Sequence, residues 1–224
     1  MKIEVKGYIV PNEDKDIYDF LGYPATSPKD VSSVLDKAGG MPVTVEINSY
    51  GGDVWAGSEI YSALRGYSGN VNIQIVGLAA SAASVIAMAG KSEMSPTAMM
   101  MVHNAAGSAD GNYHTMDSAS NMLQTANKTV ANAYISKTGM SEKDALSMMD
   151  QETWLTAQEA LDKNLIDGIL FEDHKPMALV NSLPMPPHDL IEKVRNTIKN
   201  PQAQIGQADF LQAKLNFLKL KVRN

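Results

Sequence analysis

The chain has 224 residues, is 44% apolar, carries a net charge of −6 and contains no cysteine. That composition can bury one large core, and it excludes disulfides, thiolate zinc sites and a cysteine nucleophile, in keeping with a reducing compartment such as the cytoplasm. No dense basic stripe interrupts the first 175 residues, which argues against nucleic-acid binding by the main domain.

Ile3, Val5, Gly7 and Ile9 alternate with Lys2, Glu4, Lys6 and Tyr8, the period of a half-buried strand rather than the apolar core of a signal peptide. A polar loop follows to Tyr23. Ser27 then stands as an N-cap, with Pro28 at the first helical position and Asp30 three residues after the serine. Val31, Val34, Leu35 and Ala38 form one apolar stripe, and Gly39-Gly40 ends that helix. Val43, Val45 and Ile47 predict a second strand. Ser49-Tyr50-Gly51-Gly52-Asp53 predicts a glycine turn into a helix over 54–67.

Gly69-Asn70 breaks that helix, and 71–78 reads as a third strand. A helix of small residues follows over 81–89, stopped by Gly90; Ser95-Pro96 makes a turn, and 98–103 is a fourth strand. Strand and helix alternating over short links predict an α/β fold with mostly parallel pairing. The apolar stretch 78–90 is too short and too rich in Ala and Ser to span a membrane.

The segment 104–112 is polar and glycine-bearing, a loop. From 115 to 137 neither Gly nor Pro intervenes, and Met122, Ala126, Val130, Ala133 and Tyr134 recur near helical spacing, so one long helix is expected, ended by Thr138-Gly139. Ser141 with Asp144 caps a short helix, and Thr156 with Glu159 caps another running to Lys163. The stretch 165–170 predicts a last strand. After Asp173 the composition shifts: Pro176, Pro184, Pro186 and Pro187 mark a linker, 188–199 suits a short helix, and Leu211, Leu215 and Leu218 stripe a second one with basic flanks. The expected organisation is a domain over 1–175 and a linker with an amphipathic helical tail over 176–224. The fourteen methionines read as core or interface fillers, not as metal ligands.

A serine hydroxyl becomes a nucleophile only beside a base, a group that orients the base, and donors for the oxyanion. Ser81, where the apolar strand meets the small-residue helix, is the candidate nucleophile; taken alone, a serine there is more often an N-cap. His103, ending an apolar strand, is the candidate base, since strand ends are where α/β sites assemble. His114, His174 and His188 sit in loop or linker contexts. Asp150 and Glu152 are both candidates for the orienting acid. The amides of Ala82 and of the Gly51-Gly52 pair are candidate oxyanion donors, since paired glycines after a strand allow close backbone approach of a ligand.

Taken together these segments resemble the ClpP family of serine peptidases. Ile47-Asn48-Ser49-Tyr50-Gly51-Gly52-Asp53-Val54-Trp55-Ala56-Gly57 is similar to its glycine segment, and Gly77-Leu78-Ala79-Ala80-Ser81-Ala82-Ala83-Ser84 to its nucleophile segment. Met101-Val102-His103-Asn104 resembles its histidine segment. Asp150-Gln151-Glu152-Thr153-Trp154-Leu155-Thr156-Ala157-Gln158-Glu159-Ala160 resembles its acid segment, and the likeness covers about 1–172. It implies a ClpP/crotonase-type spiral of β-β-α units with a long handle helix, and a triad of Ser81, His103 and an acid. Alignment through Trp154-Leu155-Thr156-Ala157 favours Glu152 over Asp150. It further implies an oxyanion hole from Gly52 and Ala82, a peptide lying near Gly51, Gly107 and Gly111, no cofactor, and a homo-oligomeric ring of six or seven subunits, single or stacked.

Four departures stand out: Glu152 stands where the family's acid is usually aspartate, and three more follow. Tyr50 replaces the family's proline before the paired glycines, Gln151 replaces an arginine typical of inter-ring contacts, and the N-terminus lacks the extended gating segment. With the tail, these resemble the ClpP-type proteases of phage head-assembly modules, implying capsid or scaffold proteins as substrates and partners, in the host cytoplasm or inside the procapsid. The alternatives are a cellular-type proteolytic subunit working with an ATPase unfoldase, acyl-CoA chemistry on a crotonase-like fold, a Ser-Lys dyad using Lys91, and a catalytically silent assembly protein.

Overall fold

A computed structural model of the protein describes residues 1–171. The linker and tail expected over 176–224 lie outside the described residues. Strand β1 (Lys2–Ile9) alternates buried and exposed residues as its sequence predicts. The segment read as a polar loop to Tyr23 instead contains helix α1 (Lys15–Leu21), and a short strand β2 (Ala25–Thr26) follows it. None of the α1 residues is buried, and Ile17, Phe20 and Leu21 face solvent, so no core-facing stripe marks that helix in the sequence.

Helix α2 (Pro28–Ala38) starts with a reciprocal capping box between Ser27 and Asp30, and it buries Val31, Leu35 and Ala38. Such a cap stabilises a helix by about 1 kcal/mol. Strand β3 (Val43–Gly52) runs through the expected glycine turn: Gly51 and Gly52 are its last residues, paired with Tyr8 and Ile9 after a register shift. Helix α3 (Val54–Arg65) begins at once, because the Asp53 carboxylate caps it by accepting from the Ala56 amide at 2.7 Å.

Strand β4 (Val71–Ala80) serves two neighbours. Its first half pairs with β5 (Lys91–Met94), and its last three residues pair with β6 (Met99–Val102). Helix α4 (Ala82–Ala87) lies between these strands in sequence and is buried throughout. Helix α5 (Tyr113–Thr138) is the long helix, capped by Asn112 and closed by Gly139 in a left-handed conformation. Helix α6 (Glu142–Asp150), strand β7 (Thr153–Thr156), helix α7 (Ala157–Asp162) and strand β8 (Gly168–Ile169) complete the described chain.

The sheet runs β2-β1-β3-β4-β5-β8, parallel throughout, while β6 leaves β4 to pair antiparallel with β7. Its centre reads as near-continuous apolar sequence, as expected of parallel strands covered on both faces. Val45, Ile47, Ile73 and Ile75 are all 0–1% exposed. β5 and β7 are four residues each and carry exposed polar positions, so neither shows an apolar run in the sequence. The arrangement is the α/β fold expected, with the divergence of β6 from β5 opening the sheet where β4 ends.

Candidate active site

Ser81 sits at that opening, between the last residue of β4 and the first of α4. Its backbone has φ 55° and ψ −126°, and its side chain makes no cap hydrogen bond. A positive φ at a non-glycine residue costs about 1–3 kcal/mol and persists only where surrounding structure enforces it. Three groups do so. The Ser81 amide donates to the Met101 carbonyl at 2.9 Å, and the Ser81 carbonyl accepts from the Ser84 amide at 2.9 Å and the Ser84 hydroxyl at 2.7 Å. The Ser81 hydroxyl, released from capping, lies 2.7 Å from Nε2 of His103.

The run of small residues around Ser81 follows from close packing. A Cβ on Gly51 would stand 2.6 Å from the Ala80 carbonyl oxygen and 2.8 Å from the Ser81 Cβ; one on Gly57 would stand 2.8 Å from the Ala82 Cβ. Helices α3 and α4 and the end of β3 therefore meet at backbone distance around the serine. Gly51, expected beside the peptide, packs against Ala80 and Ser81 and is not among the residues that line the cavity in front of Ser81.

That cavity, about 300 Å³, is lined by Gly52, Ser81, Ala82, His103 and Gly107 together with an apolar wall that includes Trp55 and Leu123. Gly111 is outside this lining, packed on Thr115 at the start of α5. The two residues expected to supply oxyanion donors thus border the same space as the Ser81–His103 pair.

The acid is placed differently. The antiparallel register of β6 with β7 ends at the pair Val102 and Thr153, so His103 and Glu152 each stand one residue beyond the last pair. Glu152 takes φ 47° to enter β7. Yet among the described residues neither Glu152 nor Asp150 is hydrogen-bonded to the imidazole. Asp150 accepts instead from the Asn104 side-chain amide at 2.7 Å. The Ala105 amide donates to Asn127 Oδ1 at 2.8 Å, so α5 and α6 both hold the loop that follows His103. The sequence marks Asn104 only as part of the histidine segment and gives Asn127 no role; the signal available was a polar Asn127 next to the apolar stripe of the long helix.

Other candidates fall away. Lys91 pairs with Asn72 near the start of β4, nine residues before Ser81. At about 3.3 Å per residue that is roughly 30 Å of strand, and the Lys91 ammonium lies near Glu93, so a Ser81–Lys91 dyad is not formed. His114 stacks on Tyr113 at the start of α5. His174 and His188 lie outside the described residues. Among the described residues no group of three or more His, Asp or Glu side chains could hold a metal ion, and no helix is long and apolar enough to cross a membrane.

Residues 33–173, more than half of the chain, match the family model described as Clp protease. The ATP-dependent Clp protease proteolytic subunit 1 of Chlamydia abortus is 32% identical over 137 residues, spanning 59% of this chain and 71% of that protein. The ATP-dependent Clp protease proteolytic subunit of Bacteroides fragilis is 32% identical over 136 residues, spanning 59% and 66%. A point mutant of ClpP1 from Listeria monocytogenes superposes with a TM-score of 0.62 at 22% identity, covering 75% of this chain and 90% of that one, a likeness of fold. With a family model across most of the described residues, relatives above 30% identity and the α/β architecture in agreement, the chain belongs to the Clp protease family and is a serine peptidase.

Proposed function

We propose that this protein is a serine endopeptidase in which Ser81 is the nucleophile, His103 the base and Glu152 the acid, with the amides of Gly52 and Ala82 holding the oxyanion. The observation that carries the reading is the 2.7 Å contact between the Ser81 hydroxyl and His103 Nε2 at a serine held in a strained backbone conformation without a capping role.

With its proton on Nδ1, the imidazole accepts the Ser81 proton at Nε2 as the oxygen attacks the peptide carbonyl. Charge then develops on the carbonyl oxygen, where donors facing the cavity stabilise it more than they stabilise the planar substrate. The imidazolium returns the proton to the departing amine, leaving an acyl-serine, and water repeats the sequence to release the acid. In this reading Glu152, one residue before β7, is the carboxylate that accepts from Nδ1. The apolar wall of the cavity suits an apolar substrate side chain next to the scissile bond.

The partners follow the family reading: a homo-oligomeric ring of six or seven subunits, single or stacked. We propose phage scaffold or capsid proteins as substrates, a reading supported by Tyr50, Gln151 and the proline-containing tail. The names of the relatives support a second reading, a proteolytic subunit fed by an ATPase unfoldase.

The Ser81→Ala variant tests the site. It should fold and assemble normally and lose cleavage of a fluorogenic peptide by roughly four to six orders of magnitude, together with fluorophosphonate labelling. Glu152→Gln should lower kcat more than Asp150→Asn does. Full activity in Ser81→Ala would overturn the assignment. Cleavage of a capsid scaffold without ATP, against ATP-dependent degradation with an unfoldase, separates the two substrate readings.

A further inference from the structure

Behind the strained serine lies a buried chain of hydroxyls that the catalytic reading leaves unused. Ser84, in the first turn of α4, is fully buried, and its hydroxyl is 2.7 Å from the Ser81 carbonyl oxygen and 2.8 Å from the Tyr134 hydroxyl. Tyr134 comes from α5, fifty residues further along, and is 1% exposed.

The direction of this chain follows from counting protons. A carbonyl oxygen only accepts, so Ser84 spends its single O–H on Ser81. The Ser84 oxygen must then accept from Tyr134, which donates. Burial pushes the Tyr134 phenol up to about 12, so the donor proton stays in place at working pH.

We propose that Tyr134 and Ser84 are positioning residues for the nucleophile: the phenol orients the Ser84 hydroxyl, and that hydroxyl anchors the Ser81 carbonyl so that the positive-φ turn presents Oγ to His103. The pair ties the long helix α5 to the reacting serine without touching substrate through a polar atom. The Tyr134 ring also lines the cavity in front of Ser81, so Tyr134→Phe keeps the wall and removes only the donor. This inference rests on the assignment of Ser81 as nucleophile.

The test uses the full-length chain with Tyr134→Phe, Ser84→Ala and the double variant. Ser84→Ala should lower kcat and the rate of fluorophosphonate labelling on the order of tenfold, with KM within about twofold, because the lost hydrogen bond orients a reacting group and not the substrate. Tyr134→Phe should lower kcat by a few-fold. In the double variant no buried hydroxyl is left unpaired, so thermal stability should recover toward wild type, while kcat should stay as low as in Ser84→Ala. A merely structural pair predicts the opposite, with kcat recovering along with stability; that result would overturn the proposal, as would unchanged kcat in Ser84→Ala. Hydrogen exchange over 79–89 reads the tie without chemistry: faster exchange in Ser84→Ala supports it and unchanged exchange overturns it. Wild-type protein that fails to label at Ser81 would sink the peptidase assignment alone, leaving the exchange measurement to judge the tie.

Discussion

The backbone of Ser81 offers a test of whether the fold forces the proposed nucleophile into place. At φ 55° and ψ −126°, a Cβ crowds the neighbouring backbone at about 1–2 kcal/mol, and glycine escapes that crowding. Glycine in turn loses more chain entropy on folding than alanine, by about 0.5–1 kcal/mol. Ser81→Gly and Ser81→Ala both delete the hydroxyl and its contact with His103, so their difference isolates the backbone. We expect Ser81→Gly to be the more stable by about 1 kcal/mol, or roughly 2–4 °C in Tm for a chain of this size. At an unstrained position the order is reversed. Calorimetry at one fixed protein concentration reads it, since assembly makes Tm concentration-dependent. Greater stability of Ser81→Ala would show that the turn stores no strain and that the serine is not held against its backbone preference.

Two further perturbations probe the frame around the site. Gly51 has φ 88° and no room for a Cβ beside Ala80 and Ser81, so Gly51→Ala should cost about 3–5 kcal/mol in urea unfolding and slow labelling of Ser81; unchanged labelling would show that this packing does not position the nucleophile. Burial alone would raise the Asp167 carboxyl, but the Lys137 ammonium and the Ser92 amide hold it below its ordinary value. A carboxylate depressed in the folded state stabilises above its unfolded pKa and loses that contribution as pH falls through the folded value. Asp167 is 40% exposed at its side chain, so Asp167→Asn should lower stability at neutral pH by only about 1 kcal/mol. Thermal melts should show the gap to wild type closing as acid protonates Asp167, and a gap independent of pH would discount the ion pair.

Much of the site could be read in the chain. The alternation in 3–9 and the stripe in 31–38 announce their elements because each faces the core on one side only, and Ser27, Thr156 and Gly139 mark helix ends by local hydrogen bonding or backbone freedom. Segment order singles out Ser81, His103 and Glu152 as candidates, and the structure brings the first two to hydrogen-bond distance. Helix α1 was not legible, because it buries nothing, and β5 and β7 were not, because four residues carry too short a period.

By itself the sequence determined the residue types that chemistry requires and the small side chains that let backbones meet around Ser81. Only the tertiary structure decided that Ser81 gives up capping, that Gly51 and Gly52 end a strand instead of forming a turn, and that Asp150 turns to Asn104. The physical reason is the range of the interactions. Caps and periodicity act within a few residues, whereas the Ser81 amide bonds to Met101, its hydroxyl lies against His103 and its carbonyl partner Ser84 bonds to Tyr134, groups brought together only when β6 and α5 pack against the end of β4.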